Sequence, residues 1–500
     1  MGKRWHCGRA WRLTHRALLV AAVMLPVAAP SALVAAPSAV AATSRIDPAQ
    51  LKGLPTFIDG VMAQQIASRD VAGAVVTVVS GGKVIFNKGY GFADIDRRVP
   101  VDGEHTLFRP GSVSKLFTWT ALMQLVEDGK VSLDDEVNKY LDFRIPDTQS
   151  RPILVRHLLD HTPGFEDRSD GIMARTPADF VPLGLFLKNN IPTRVREPGT
   201  EISYSNYGSA LAGYIVERVS GEPFPDYVER HIFKPLRMET ATFREPLTGA
   251  RAANMALGYE LKDGRFVARP FELYTNIMPA GSASATGPDM ARFMLMHLRD
   301  GELGGARILK PATMRQMRET LNRNSPSLPG YAHGYMVIRE DGPRMIGHGG
   351  NTADFHSILL LAPEADFGFF ISTTGGPGSY AARTELQNAI VGRLFPTASA
   401  PRWNGASVAP VGAYRINRRN YSETPKPEND IKVSAFGPNS LVMTGPGGPT
   451  FWEQIGPNQY EKVTGMRAGG PFEIVEFHGS EEDRRMSFSS QPHVLYRLVR

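Results

Sequence analysis

The alternation of apolar and polar positions changes character along this chain. Residues 74–80 (AVVTVVS) are a run of small and β-branched side chains, Gly81-Gly82 is a two-residue turn, and residues 83–90 return, which predicts a β-hairpin. After a loop to Pro110, residues 112–128 (SVSKLFTWTALMQLVED) are apolar on nearly every side and stop at Gly129, which predicts a buried helix. From about residue 153 to 299 the pattern is mainly helical, with long polar loops. Short β-rich runs resume at 335–339, 344–348, 355–361 and 367–373, followed by a helical stretch at 383–394. Strands at both ends with helices between predict an α/β (α+β) fold, in which one sheet is built from distant segments and a helical lobe is inserted in the middle. Residues 396–404 (PTASAPRWN) read as a linker. Residues 405–500 carry Gly, Pro and short β runs such as 431–436 and 493–499, and read as a small β-rich C-terminal domain.

Composition changes this picture at one end only. Of 500 residues, 42% are hydrophobic and 21% charged, which is ordinary for a folded chain. The formal charge is +6, but residues 1–42 hold Lys3, Arg4, Arg9, Arg12 and Arg16 and no acid, so the remainder carries only +1. That balance gives no reason to expect a nucleic-acid partner. The basic stretch ends at Arg16, residues 17–29 are apolar, and Val40-Ala41-Ala42 offers a cleavage site, so residues 1–42 read as a secretory signal. Pro26 and Pro30 interrupt the run, and it is shorter than the ~20 residues a spanning helix needs. The expected mature protein is exported, periplasmic or secreted, with no stable membrane span. Cys7 is the only cysteine and lies within the signal, which excludes disulfides and thiol catalysis from the mature chain.

Three short motifs carry chemistry. Ser112-Val113-Ser114-Lys115 opens the buried helix, with Ser112 and Lys115 three residues apart on one face. A serine hydroxyl is a weak nucleophile that needs a base beside it, and a lysine serves only when burial keeps it neutral. The hydroxyl also sits where helix N-terminal N–H groups are free to meet an oxyanion. The same spacing occurs in Ser80-Gly81-Gly82-Lys83, on a turn where Lys83 is expected in solvent. Tyr204-Ser205-Asn206 supplies a phenol for proton relay and an amide for a carbonyl, although Tyr274-Thr275-Asn276 offers the same triplet. His348-Gly349-Gly350-Asn351 ends a short strand, and its paired glycines would let a substrate backbone approach and free an inward N–H.

In this order the three motifs resemble those of the serine β-lactamase and penicillin-binding-protein superfamily, in particular its class C-like branch of β-lactamases, D,D-carboxypeptidases, D-aminopeptidases and esterases. The separations are 92 residues from Ser112 to Tyr204 and 144 from Tyr204 to His348. Residues 106–115 (TLFRPGSVSK), 158–165 (LLDHTPGF), 204–208 (YSNYG) and 348–355 (HGGNTADF) carry the likeness too, within about residues 55–395. The resemblance implies a hydrolase domain at 43–395, built as an antiparallel sheet flanked by helices with a helical lobe. It implies no cofactor and no metal. It also implies Ser112 as the acylated nucleophile, Lys115 as its base, Tyr204 in proton transfer, and Asn206 on a substrate carbonyl or on Lys115. The backbone N–H groups of Ser112 and Asn351 would be the oxyanion donors, with His348 and Gly350 lining the substrate. The substrate would be a small molecule or a cell-wall-derived peptide or ester.

One departure matters. Lys-[Ser/Thr]-Gly, the motif in which lysine offers a permanent cation, occurs nowhere in the chain, and His348 stands in its place. An imidazole of ordinary pKa, about 6.5, is mostly neutral at pH 7. Esterase-type activity is therefore expected to be favoured over penicillin or peptide hydrolysis, with carboxylate recognition improving in mild acid. A β-lactamase or D,D-carboxypeptidase is the alternative, and a non-catalytic penicillin-sensing or cell-wall-binding protein is the alternative of another class. Every motif lies upstream of Arg402, so residues 43–401 are expected to carry the chemistry unaided. His157 and His161, four apart on an expected helix, read as capping or packing residues rather than metal ligands, and Gly375–Gly378 as a loop.

Overall fold

The computed structural model describes residues 46–397, 400–405, 407–463 and 473–500. The expected signal, residues 1–42, lies outside them. Helix α1 (Leu54–Ala67) leads into the hairpin β1 (Gly73–Ser80) and β2 (Lys83–Asp94). Gly81 and Gly82 both take positive φ, as a tight two-residue turn requires. The next helix begins as a single 3₁₀ turn, Gly111–Ser114, and becomes α-helical only at α2 (Lys115–Glu127), so the expected helix at 112–128 is two elements. Nearly every residue of α2 is buried, as its apolar circumference demands.

The lobe contributes α3 (Asn206–Ser220) and a 3₁₀ stretch, Thr275–Ala280, before α4 (Gly287–Leu298) returns the chain to the sheet. The returning strands are β3 (Met336–Arg339), β4 (Met345–Asn351), β5 (Phe355–Ala362) and β6 (Phe367–Thr374), closed by α5 (Pro377–Leu394). Helix α5 starts earlier than the sequence suggested and takes Gly378 out of the expected loop. The sheet has nine antiparallel strands, with β2, β1, β6, β5, β4 and β3 adjacent in that order. Pairing β1 with β6, Gly73 opposite Thr374, joins the two ends of the domain.

Strand periodicity divides the core in two. Val75 and Val79 of β1 pack with α2, α4 and the lobe. Their neighbours Ala74, Val76 and Val78 pack with α1 and α5 on the other face. A sheet covered on both faces explains why β1, β5 and β6 are buried along their whole length rather than at alternate positions.

The C-terminal strands β7 (Gly412–Ile416), β8 (Ile431–Ala435), β9 (Ser440–Gly445), β10 (Gly448–Gly456), β11 (Gln459–Lys462), β12 (Ile474–His478), β13 (Arg485–Phe488) and β14 (Tyr496–Leu498) form a closed antiparallel barrel around Tyr414, Trp452, Phe477 and Met486. Closure, by β7 pairing with β14, removes the sheet edges that a small β domain would otherwise expose. In the stretch expected as a linker, the Trp403 N–H donates to Gln454 O at 2.8 Å and ties it to the barrel.

Thr43–Arg500 is one contact unit, and the barrel is fastened to the lobe by buried polar groups. Glu201 is 6% exposed and takes bonds from Asn417 Nδ2 at 2.7 Å and Arg497 Nη2 at 2.5 Å, with Arg196 Nε at 2.8 Å. Burial alone would raise its carboxyl, but Arg196, Arg497 and Asn417 together hold it below the usual range. Removing one side of such a buried network costs about 3–5 kcal/mol. Among the described residues, no helix is long and apolar enough to cross a membrane.

Candidate active site

Ser112 stands in the 3₁₀ turn at the head of α2 and lines a cleft of about 870 Å³. Lys115 Nζ lies 3.0 Å from Ser112 Oγ, 2.8 Å from Asn206 Oδ1 and 2.6 Å from the Ala280 carbonyl oxygen. The lysine is fully buried. Burial first, and the charge of Arg418 second, hold its pKa well below the ordinary 10.5, with Asp167 opposing. A neutral amine has two N–H bonds and one lone pair. The amide and peptide oxygens only accept, so they take the two N–H bonds, and the lone pair is left facing the serine hydroxyl.

Asn206 begins α3, and the helix start is fixed by its N-cap, whose Ser205 Oγ accepts from the Gly208 N–H at 3.0 Å. That cap presents Tyr204 and Asn206 together. The Tyr204 ring lies 4.8 Å from Lys115 Nζ and is 5% exposed. Its buried hydroxyl has no aligned hydrogen-bond partner among the described residues. Burial lifts the phenol above its usual range, while the adjoining Ser112 hydroxyl and Arg418 pull it back. Three imidazoles surround the ring, with centroids at 4.2 Å for His161, 5.7 Å for His493 and 5.8 Å for His348.

His348 sits on β4, 1% exposed, and both ring nitrogens are engaged. Nδ1 is 2.6 Å from the Gly349 carbonyl, which it must donate to, so Nε2 accepts from the Tyr331 hydroxyl at 3.1 Å. Burial, above all, pushes its pKa down to about 3. The expectation that His348 charges in mild acid is therefore overturned: desolvation and a filled acceptor keep the ring neutral throughout that range.

The glycines of this strand serve a different neighbour from the one expected. Gly350 is buried, and a Cβ there would stand 1.9 Å from Pro110 O and 3.0 Å from Ser112 N. Gly111, at φ +55°, answers from the other side, where a Cβ would meet Asn351 N at 2.9 Å. The two backbones interlock, so the Pro110–Ser112 turn and the Gly350–Asn351 end of β4 lie in direct contact. Gly350 makes room for the nucleophile turn, while Gly349 and Asn351 face the cleft. The Asn351 side chain is held by His356 Nδ1 at 2.9 Å.

The other candidates separate cleanly. Ser80 ends β1 while Lys83 is exposed at the start of β2. Tyr274, Thr275 and Asn276 are spent on structure: Tyr274 donates to Glu272, Thr275 to Glu245, and Asn276 Oδ1 accepts from Val181 N–H. The expected helix through His157 and His161 stops at Leu159, and His161 has φ +57°, so the two do not share a face. His157 Nδ1 accepts from the Leu154 N–H, and His161 Nδ1 from the Ser205 N–H at 3.2 Å. His161 thus buttresses the Tyr204 turn, inside a segment the sequence had marked at 158–165.

The barrel supplies what sequence reasoning missed. Arg418 follows β7 and lies 4.8 Å over the Tyr204 ring, with Nε 3.1 Å from Asp167 Oδ2. The Tyr204 N–H donates to the His493 carbonyl at 3.0 Å. His493 and Arg418 share the cleft wall with Ser112. The expectation that residues 43–401 hold the whole site does not agree with this arrangement.

A two-sided sheet with an inserted lobe, and a serine–lysine pair where they meet, is the β-lactamase fold. The chain belongs to the Beta-lactamase family, whose model matches residues 58–392. It is 26% identical over 322 residues to Protein flp of Staphylococcus aureus (strain MW2), covering 63% of this chain and 62% of that protein. It is 30% identical over 305 residues to Penicillin-binding protein 4 of Amycolatopsis lactamdurans, covering 58% and 77%. The chain thus spans less than two thirds of the length of Protein flp. The structure of the octameric penicillin-binding protein homologue from Pyrococcus abyssi superposes with a TM-score of 0.60 at 23% identity, over 88% of this chain and 99% of that one. That likeness is one of fold.

Proposed function

We propose that this protein is a serine hydrolase that cleaves ester, amide or peptide bonds through an acyl-enzyme on Ser112. Lys115, neutral, accepts the Ser112 Oγ proton as Oγ bonds to the substrate carbonyl carbon. The oxyanion is met by the Ser112 and Asn351 backbone N–H groups. Tyr204 relays the proton from Lys115 to the leaving oxygen or nitrogen, which departs with its bonding pair and leaves acyl-Ser112. Water then attacks the acyl carbon, giving up its proton to the same groups, and the acid is released as Oγ regains its hydrogen. The observation that carries the reading is the buried Lys115 amine, 3.0 Å from Ser112 Oγ with both other partners acceptors.

Esterase-type turnover belongs to the same proposal: neutral His348 supplies no cation at the strand, and a short-chain ester needs none. Turnover of such an ester by wild type, with a stoichiometric burst of alcohol, tests it. A folded protein that gives neither burst nor turnover would favour the non-catalytic reading. We place the mature protein outside the cytoplasm on the basic and apolar pattern of residues 1–42. Fractionation of cells producing the full chain tests that.

A further inference from the structure

We propose that Glu272 is a positioning residue for the oxyanion hole, tying the backbone that carries the Ser112 N–H to the backbone that carries the Asn351 N–H. The inference rests on the acyl-enzyme reading, in which those two groups meet the oxyanion. It adds a residue that stands outside the cleft lining.

The two donors come from distant parts of the chain, one from the turn before α2 and one from the end of β4. Their backbones touch through Gly111 and Gly350. A contact between glycines has no side chain to fix it, so its geometry has to be set from outside. Residues 271–275 do this. Glu272 Oε1 accepts from the Ala353 N–H at 2.7 Å, two residues past Asn351. The Glu272 main-chain carbonyl accepts from Arg109 Nη1, three residues before Ser112. One residue thus holds both arms, one with its side chain and the other with its backbone.

Each hold is braced in turn. The Tyr274 hydroxyl donates to the same Glu272 Oε1 at 3.0 Å. Arg109 is fully buried, and its Nη2 donates to Glu245 Oε1 and to Ser282 O. Glu245 Oε2 accepts from the Tyr274 N–H at 2.6 Å and from the Thr275 hydroxyl at 2.9 Å. The rings of Phe271 and Tyr274 lie 4.6 Å and 5.4 Å from the Arg109 guanidinium carbon. The triplet Tyr274-Thr275-Asn276, which has no part in the cleft, therefore acts from behind it. Glu272 is 7% exposed, and a carboxylate that accepts from N–H or O–H groups away from water makes bonds roughly twice as strong as neutral ones. A second tie between the arms, Ser357 Oγ to Arg109 O, is neutral and longer at 3.3 Å.

The test compares Glu272→Ala and Glu272→Gln with wild type in acylation by a neutral ester. Glu272→Ala should lower kcat about tenfold with KM little changed, less than the roughly 10²–10³ for losing a donor outright. Its pH profile should keep the wild-type shape, because Lys115 is untouched. Glu272→Gln keeps an acceptor oxygen and should recover most of the rate. Amide hydrogen exchange of the unreacted protein reads the coupling without chemistry, so a failed acyl-enzyme reading still leaves this proposal tested. Glu272→Ala should speed exchange in residues 107–113 and 350–354 together. Tyr274→Phe removes one bond to the same oxygen and should show both effects more weakly, which keeps the comparison open if Glu272→Ala does not fold. Faster exchange at 350–354 alone, a lower melting temperature with unchanged kcat, or a Glu272→Gln protein as slow as Glu272→Ala would overturn it.

Discussion

Arg383 Nη1 donates to the carbonyl of Gly350 at 3.1 Å, and that carbonyl is one end of the peptide whose other end is the Asn351 N–H. A buried cation on the oxygen draws charge from the peptide and fixes its plane, which makes the N–H a better and better-aimed donor. The same guanidinium lies 4.6 Å over the Tyr380 ring. In the proposed mechanism this makes Arg383 a positioning residue for the oxyanion donor.

Arg383→Gln should slow acylation by a neutral ester about tenfold, less than the roughly 10²–10³ for deleting an oxyanion donor outright. The loss should fall on kcat rather than KM, and Arg383→Lys should restore part of it. A variant with lower thermal stability but unchanged kcat would reduce Arg383 to a packing role.

Lys115→Arg keeps the charge and removes the base, and should slow acylation at least a hundredfold, within the usual contribution of a general base. The pH profile carries the sign. The working form is the neutral amine, present above the pKa, and burial lowers that pKa well below 10.5. The rise of kcat/KM with pH for a neutral ester should thus be complete well short of 10.5. A rate still climbing there would mean that Lys115 is charged at rest and only holds Ser112.

His348 should not titrate in the working range. With its pKa near 3, the ratio of kcat/KM for an ester bearing a free carboxylate to that for the same ester with the carboxylate blocked as its amide should be flat from about pH 7.5 to about pH 5.5, across the ordinary imidazole pKa of about 6.5. Selective improvement of the charged substrate in that window would show that the ring takes a proton when substrate binds.

Much of this was legible in the residues. The hairpin around Gly81-Gly82 and the buried helix after Ser112 depend on local pattern, and both formed, the helix with a 3₁₀ start. Ser112, Lys115, Tyr204, Asn206, His348 and Asn351 were named from motifs, and the fold brings them to one cleft. The role of Gly350 was not legible, because the backbone it makes room for belongs to Pro110–Ser112. The state of His348 depends on Tyr331 and on burial, which no motif encodes. Arg418 stands 306 residues after Ser112 in the sequence, and its place is set by the docking of a second domain.

That docking makes a prediction of its own. A chain ending near Arg402 loses Arg418 and His493, and leaves buried Glu201 without Asn417 and Arg497. It should melt at lower temperature and acylate poorly even where it remains folded. Acylation at the full-length rate by residues 43–401 would show that the barrel is dispensable to the chemistry.

The proposed mechanism turns on a covalent bond at Ser112. The direct measurement is reaction of the protein with a fluorophosphonate and with a fluorescent penicillin, followed by digestion and mass mapping of the adduct, alongside Ser112→Ala and Ser80→Ala. One adduct per chain is expected with the fluorophosphonate, on the peptide containing Ser112, absent from Ser112→Ala and retained by Ser80→Ala. An adduct on another residue, or normal ester turnover by the Ser112→Ala protein, would contradict it.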